Sequence, residues 1–135
     1  MIGGESVSRS ERREVWIVSA LPTLTVTWSR YAAGEQGPGL HVHREHTDAF
    51  YVLDGTVRFR VGPDGKPIDV GAGGFVAVPP GIAHAFANES DAEANWLNFH
   101  APDCGFASYL RDGTPWDSFD VPEDGGGDPA GVIVR

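Results

Sequence analysis

Apolar and polar residues alternate along several short segments of this chain. Between positions 56 and 61 an apolar side chain occupies every second place, at Val57, Phe59 and Val61. Residues 23–31 show the same alternation over a longer stretch. Because successive side chains of a β-strand point to opposite faces of a sheet, each segment predicts a strand, and the first has one buried and one wet face.

Glycine- and proline-rich turns separate these segments from other apolar runs. Further strands are predicted at residues 14–20, 41–53, 67–70, 75–78, 84–88 and 94–101. No stretch up to residue 101 has sustained helical periodicity, whereas Phe106, Tyr109 and Leu110 predict one or two helical turns over 105–111. Short strands at this spacing favour a sandwich or barrel, so the predicted fold class is all-β.

The chain has 135 residues, which is enough for one domain with a real core. Residues 1–13 are polar and predict a flexible N-terminal arm, while residues 14–101 contain the predicted strands. Residues 102–135 predict an extended and mostly irregular C-terminal extension that packs on the barrel or on a partner subunit.

The charge of the chain narrows the range of partners. Its formal net charge is −9, which disfavours binding to nucleic acid or to anionic membrane surfaces. Cys104 is the only cysteine, so no intrachain disulfide can form. The first residues lack the apolar core of a secretory signal, and no apolar run reaches the roughly 20 residues of a membrane span. We therefore expect a cytoplasmic protein.

Histidines are concentrated in one short segment. Three of the five, His41, His43 and His46, fall within six residues. On an extended strand, side chains two residues apart point to the same side, so His41 and His43 can reach one common point. A fourth, His84, follows a Pro-Pro-Gly turn at residues 79–81 that can direct it inward. Converging imidazoles suit a metal ion.

Two spaced motifs contain these histidines. The first reads His41-x-His43, four residues, Asp48, six residues, Gly55. The second reads Gly73, five residues, Pro79-x-Gly81, two residues, His84, three residues, Asn88. Together they resemble the two signature motifs of the cupin superfamily, the second at every defined position. The first departs at Asp48, where cupins usually carry Glu, and lacks the glycine that often precedes its first histidine.

The resemblance implies a double-stranded β-helix, or jelly-roll, barrel. It further implies that His41, His43, Asp48 and His84 bind one divalent transition metal inside the barrel, which could be Fe, Mn, Ni, Cu or Zn. Asp is one methylene shorter than Glu, which leaves three alternatives: the ion shifts, a water bridges, or Asp48 is not a ligand and His46 takes its place. Otherwise His46 is a loop or supporting histidine. His100 could line the cavity, although a structural role is the simpler expectation.

The resemblance leaves three functions open. The first is a metal-dependent dioxygenase of the quercetinase type, in which Asp48 can also act as a catalytic base. The second is a metal-assisted polyketide cyclase or isomerase, and the third a binding protein without catalysis. Each takes a small-molecule ligand that is apolar or aromatic. Polar lining could come from Tyr51, Arg58, Arg60 or Asn98. Small cupins commonly pair through sheet edges, so a homodimer is expected.

Overall fold

The computed structural model describes residues 3–135, which leaves Met1 and Ile2 of the predicted N-terminal arm outside the described residues. Within residues 3–135, ten strands, one α-helix and a 3-10 turn at Pro129–Gly131 follow one another. The strands are β1 (Glu5–Arg9), β2 (Arg13–Leu21), β3 (Leu24–Tyr31), β4 (Thr47–Asp54), β5 (Thr56–Val61), β6 (Lys66–Gly71), β7 (Phe75–Val78), β8 (His84–Ala87), β9 (Ala94–Ala101) and β10 (Ile133–Val134). Helix α1 spans Phe106–Asp112.

The strands form two antiparallel sheets that enclose one core. The larger sheet has the order β1-β2-β3-β9-β4-β7-β10, and the smaller one has the order β6-β5-β8. Phe50, Phe59 and Trp96 are fully buried between the sheets, and the Phe50 and Phe59 rings meet edge to face with centroids 4.8 Å apart. The prediction of an all-β double-stranded β-helix is therefore confirmed, because its apolar faces point into a single core.

The segment that carries the first histidines differs from its prediction as a strand. Strand β4 begins only at Thr47, and residues 41–46 form a loop ahead of it, named here the histidine loop. His41 still pairs with His84 through two backbone hydrogen bonds of 3.1 and 3.0 Å. This isolated bridge joins the two motifs directly and keeps His41 extended without a continuous ladder.

The N-terminal segment also differs from its prediction. Residues 5–9 form β1, which pairs with β2 at the edge of the larger sheet instead of remaining a loose arm. An edge strand is held mainly by backbone hydrogen bonds, so its polar side chains do not prevent pairing. Arg111 of α1 adds an ion pair to Glu5, with a nitrogen–oxygen distance of 2.9 Å.

The C-terminal residues return to the barrel after α1. The predicted helical turns over 105–111 are present as α1, which ends at Gly113 in the left-handed conformation with φ of 78°. Phe119 pairs with Val42 of the histidine loop, and β10 pairs with β7. No helix of residues 3–135 has the length and apolar character needed to cross a membrane.

Candidate metal centre

The two motifs bring four potential ligands together inside the barrel. These are His41 and His43 of the histidine loop, Asp48 of β4 and His84 of β8, and one ligand atom from each lies within 4.8 Å of the others. Nε2 of His43 lies 3.1 Å from Oδ2 of Asp48, and Nε2 of His84 lies 3.0 Å from the same oxygen. His43, Asp48 and His84 are each at most 2% exposed.

Backbone carbonyls fix the orientation of all three imidazoles. Nδ1 of His41 donates to the carbonyl oxygen of Gly39 at 2.8 Å. In the same way Nδ1 of His43 donates to the Asp117 carbonyl at 2.7 Å, and Nδ1 of His84 donates to the Ile82 carbonyl at 2.9 Å. In a neutral imidazole the proton then lies on Nδ1, and the Nε2 lone pair is available. The Nε2 lone pairs of His43 and His84 face a carboxylate oxygen, so this donor set suits a cation.

The shorter side chain of Asp48 reaches this point. Its Oδ1 accepts a 2.6 Å hydrogen bond from the amide of Asn98 on β9, which leaves Oδ2 facing the histidines. Burial alone would raise the pKa of Asp48, but the electrostatic interaction with His100 and the contacts with the rings of His43 and His84 outweigh the effect of burial. The pKa therefore lies well below its ordinary value, and Asp48 is a carboxylate at neutral pH.

Burial keeps His41 neutral. Burial and, to a smaller extent, the nearby His84 together lower the pKa of His41 to about 4, against a smaller opposing effect of the Gly39 carbonyl. A neutral imidazole is the form that binds a metal. The 79–81 turn also contacts the histidine loop, since the Gly81 amide donates to the His43 carbonyl at 2.6 Å.

His46 and His100 form a different kind of arrangement. His46 is 1% exposed, with Nδ1 2.7 Å from Oδ2 of Asp117 and Nε2 2.9 Å from Nδ1 of His100. His100 continues the chain, with Nε2 3.0 Å from Oδ1 of Asn98. Although His43, His46 and His100 are close enough to hold a metal, both ring nitrogens of His46 already have partners. His46 is therefore a buried supporting residue and not a solvated loop histidine.

A cavity of about 620 Å³ opens onto the candidate centre. His41, Asp48, Asn98 and His100 supply its polar lining around the four-ligand site. Its apolar walls are mainly aromatic and come from Tyr31, Phe86, Phe106, Tyr109 and Trp116. Three of these lie in residues 102–135, so the C-terminal extension forms part of the cavity.

Of the four polar residues predicted to line the cavity, only Asn98 does so. Tyr51 is 40% exposed on the outer face of the larger sheet. Arg58 and Arg60 border a separate pocket of about 180 Å³, and both pair with Glu89. Strand parity explains the error at Tyr51, because its neighbours Phe50 and Val52 point inward.

Sequence patterns missed two contributors to the site, Trp116 and Asp117. The Trp116 ring lies 5.1 Å from His43 and 4.5 Å from Phe106, measured between centroids. Asp117 contacts the histidine loop from more than 70 positions further along the chain. The Pro/Gly/Asp-rich composition around them indicates only irregular structure, and the isolated tryptophan was the one available signal.

Comparison with solved structures supports the fold. KdgF from Halomonas sp. superposes with a TM-score of 0.65 at 16% identity, over 76% of this chain and 92% of that one. An RmlC-like cupin from Shewanella frigidimarina superposes with a TM-score of 0.62 at 21% identity, over 74% of this chain and 85% of that one. TT1209 from Thermus thermophilus superposes with a TM-score of 0.60 at 26% identity, over 70% of this chain and 87% of that one.

No curated protein matches this sequence. The family model described as the cupin domain matches residues 27–100, which is more than half of the chain and includes both histidine motifs. With the two-sheet barrel and the converging histidines of those motifs, this match shows that the chain belongs to the cupin domain family.

Proposed function

We propose that this protein is a metal-dependent, dioxygenase-like oxidoreductase that acts on a small apolar or aromatic substrate. One observation carries the proposal: three imidazoles and a carboxylate converge beside a cavity of about 620 Å³ with aromatic walls. Pockets of this size with few polar groups are typical of small-molecule sites.

His41, His43, Asp48 and His84 would hold the metal, and His43 and His84 are oriented for it by backbone carbonyls. The nitrogen and oxygen donors suit Fe, Mn, Ni, Cu or Zn. When bound, such an ion supplies Lewis acidity and, for the redox-active metals, electron exchange with substrate and O₂.

The aromatic walls give the substrate its orientation. The Tyr109 and Trp116 rings are stacked, with an interplanar angle of 28° and centroids 5.5 Å apart, and Phe106 lies beside them. Flat apolar surfaces of this kind favour a planar ligand and exclude water from it. The polar edge of that ligand would then face Asn98 and His100.

Asp48 suits metal binding better than the role of catalytic base. Its Oδ1 is occupied by Asn98, and its Oδ2 faces His43 and His84. A side chain whose oxygens are both engaged is poorly placed to take a proton from a substrate. We therefore propose Asp48 as a ligand.

His100 favours a second candidate function. It lines the cavity beside the candidate metal site, with its Nε2 3.7 Å from Oδ1 of Asp48. This imidazole would transfer a proton to a substrate that replaces Asn98 as the hydrogen-bond partner of Nε2. A metal-assisted cyclase or isomerase needs such a group together with a Lewis acid.

The test combines metal analysis with turnover. Protein purified without added metal is assayed for metal content, reconstituted with each candidate metal, and tested for O₂ uptake with flavonols and aromatic 1,3-diketones. Metal-dependent uptake that His84→Ala abolishes, while the exposed control Lys66→Ala retains it, supports the dioxygenase.

Two other outcomes would replace this proposal. Conversion of substrate without O₂ uptake, with any reconstituted metal, would identify the cyclase or isomerase. Saturable binding without any conversion would identify a binding protein.

A further inference from the structure

The metal centre is braced by a short segment that lies outside the matched cupin domain. Residues 116–119 run along the histidine loop, and Val42 and Phe119 exchange two backbone hydrogen bonds of 2.9 Å each. The guanidinium carbon of Arg44 lies 3.7 Å from the centroid of the Phe119 ring. The two segments are therefore joined at both backbone and side-chain level.

Asp117 makes the largest number of these contacts. Its Oδ1 accepts from the Arg44 amide at 2.9 Å, and its Oδ2 accepts from the Glu45 amide at 2.8 Å and pairs with Nδ1 of His46 at 2.7 Å. Its own carbonyl oxygen accepts from Nδ1 of His43 at 2.7 Å. One residue thus contacts four consecutive residues of the loop.

We propose that Asp117 is a positioning residue for the metal centre, and this inference rests on the proposed metal binding. Its carbonyl sets the ring orientation of His43, so that Nε2 faces Asp48. Its carboxylate accepts from the backbone amides of Arg44 and Glu45, and so fixes the part of the histidine loop that directly follows His43. Supporting partners of this kind typically change metal affinity 10- to 100-fold when removed.

Two substitutions and one control test this role. In Asp117→Asn, the side-chain NH2 group faces at least one of the three donors, which are the Arg44 amide, the Glu45 amide and Nδ1 of His46, so at least one hydrogen bond is lost. Asp117→Glu keeps both carboxylate oxygens as acceptors. The control Glu123→Gln removes the same charge from an exposed position in the same extension. Dissociation constants for Co²⁺ are measured by chelator competition, together with the visible spectrum of bound Co²⁺ and circular dichroism of each metal-free protein.

The expected result is a Co²⁺ dissociation constant at least about 10-fold higher for Asp117→Asn, with a changed visible spectrum. Asp117→Glu should recover part of the affinity, and Glu123→Gln should match the wild type. If folded Asp117→Asn binds Co²⁺ as tightly as the wild type, the positioning role of Asp117 is wrong, although the proposed metal binding stands. The same conclusion follows if Asp117→Asn and Asp117→Glu lose the same amount of Co²⁺ affinity. A wild type that binds no metal would instead refute the proposed function and this inference with it.

Discussion

Two sets of histidines occupy the same end of the barrel but differ in the partners of their ring nitrogens. In the set His41, His43 and His84, every Nδ1 bonds to a backbone carbonyl, which leaves the Nε2 atoms free to converge. In His46 and His100, the ring nitrogens bond to each other and to side chains. All five residues are histidines, so residue type does not distinguish the two sets. What differs is whether one ring nitrogen remains without a hydrogen-bond donor or acceptor that would compete with a metal ion.

The largest effect is expected when a member of the first set is removed. His84→Ala takes away one of the four proposed ligands and should weaken metal binding at least about 100-fold, because the remaining donors would no longer enclose the ion. Chelator competition measures the change, and circular dichroism of the metal-free variant checks folding. Unchanged affinity in the folded variant would contradict the four-ligand site.

A somewhat smaller effect is expected at Asp48. Asp48→Asn keeps the shape of the side chain but removes its charge, so metal affinity should fall about 10- to 100-fold. The same substitution relieves the cost of a buried carboxylate when no metal is present. Chemical unfolding with and without metal should therefore show a smaller metal-induced stabilisation in the variant than in the wild type.

The metal-free protein should lose stability as the pH falls from about 6.5 to 4. Burial lowers the pKa of His41 and of His100 to about 4, so the unfolded chain takes up protons at a higher pH than the folded protein does. Each histidine then lowers the free energy of unfolding by about 1.4 kcal/mol per pH unit within this window.

Urea unfolding at pH 7, 6 and 5 measures this dependence, and His100→Gln should remove the share that comes from His100 while leaving that of His41. A free energy of unfolding that stays flat between pH 6.5 and 4 would contradict the burial of both neutral imidazoles.

The smallest effect on metal affinity is expected at His46. His46→Gln should change the dissociation constant of the metal by less than about threefold, since both ring nitrogens of His46 have other partners and we do not propose it as a ligand. The free energy of unfolding should nevertheless fall by about 1–3 kcal/mol, because Asp117 and His100 lose a buried hydrogen-bond partner. A loss of affinity as large as that of His84→Ala would place His46 among the ligands.

Local patterns sufficed for most of the barrel and for the four candidate ligands. Alternation places Val57, Phe59 and Val61 on one face of β5, and all three are buried. The resemblance of the two motifs to those of cupins predicted that His41, His43, Asp48 and His84 come together, and the structure places them so. Such signals lie within single short stretches of the sequence.

The remaining features depend on contacts between distant positions. His46 meets His100 across 54 positions and Asp117 across 71, and no periodicity of a single strand encodes either contact. Strand β1 was missed for a related reason, since its pairing with β2 uses backbone groups that every sequence possesses. Polar composition therefore predicted an arm where the sheet has an edge strand.

The long reach of Asp117 has a consequence for biosynthesis. The imidazole of His43 and the carbonyl that orients it are 74 positions apart. At roughly 5–20 residues per second, a ribosome needs roughly 4–15 seconds to add the intervening residues. During that interval the nascent chain already carries its first histidines but lacks the bond that orients His43, so the site that we propose for a cation is complete only after Asp117 has been added.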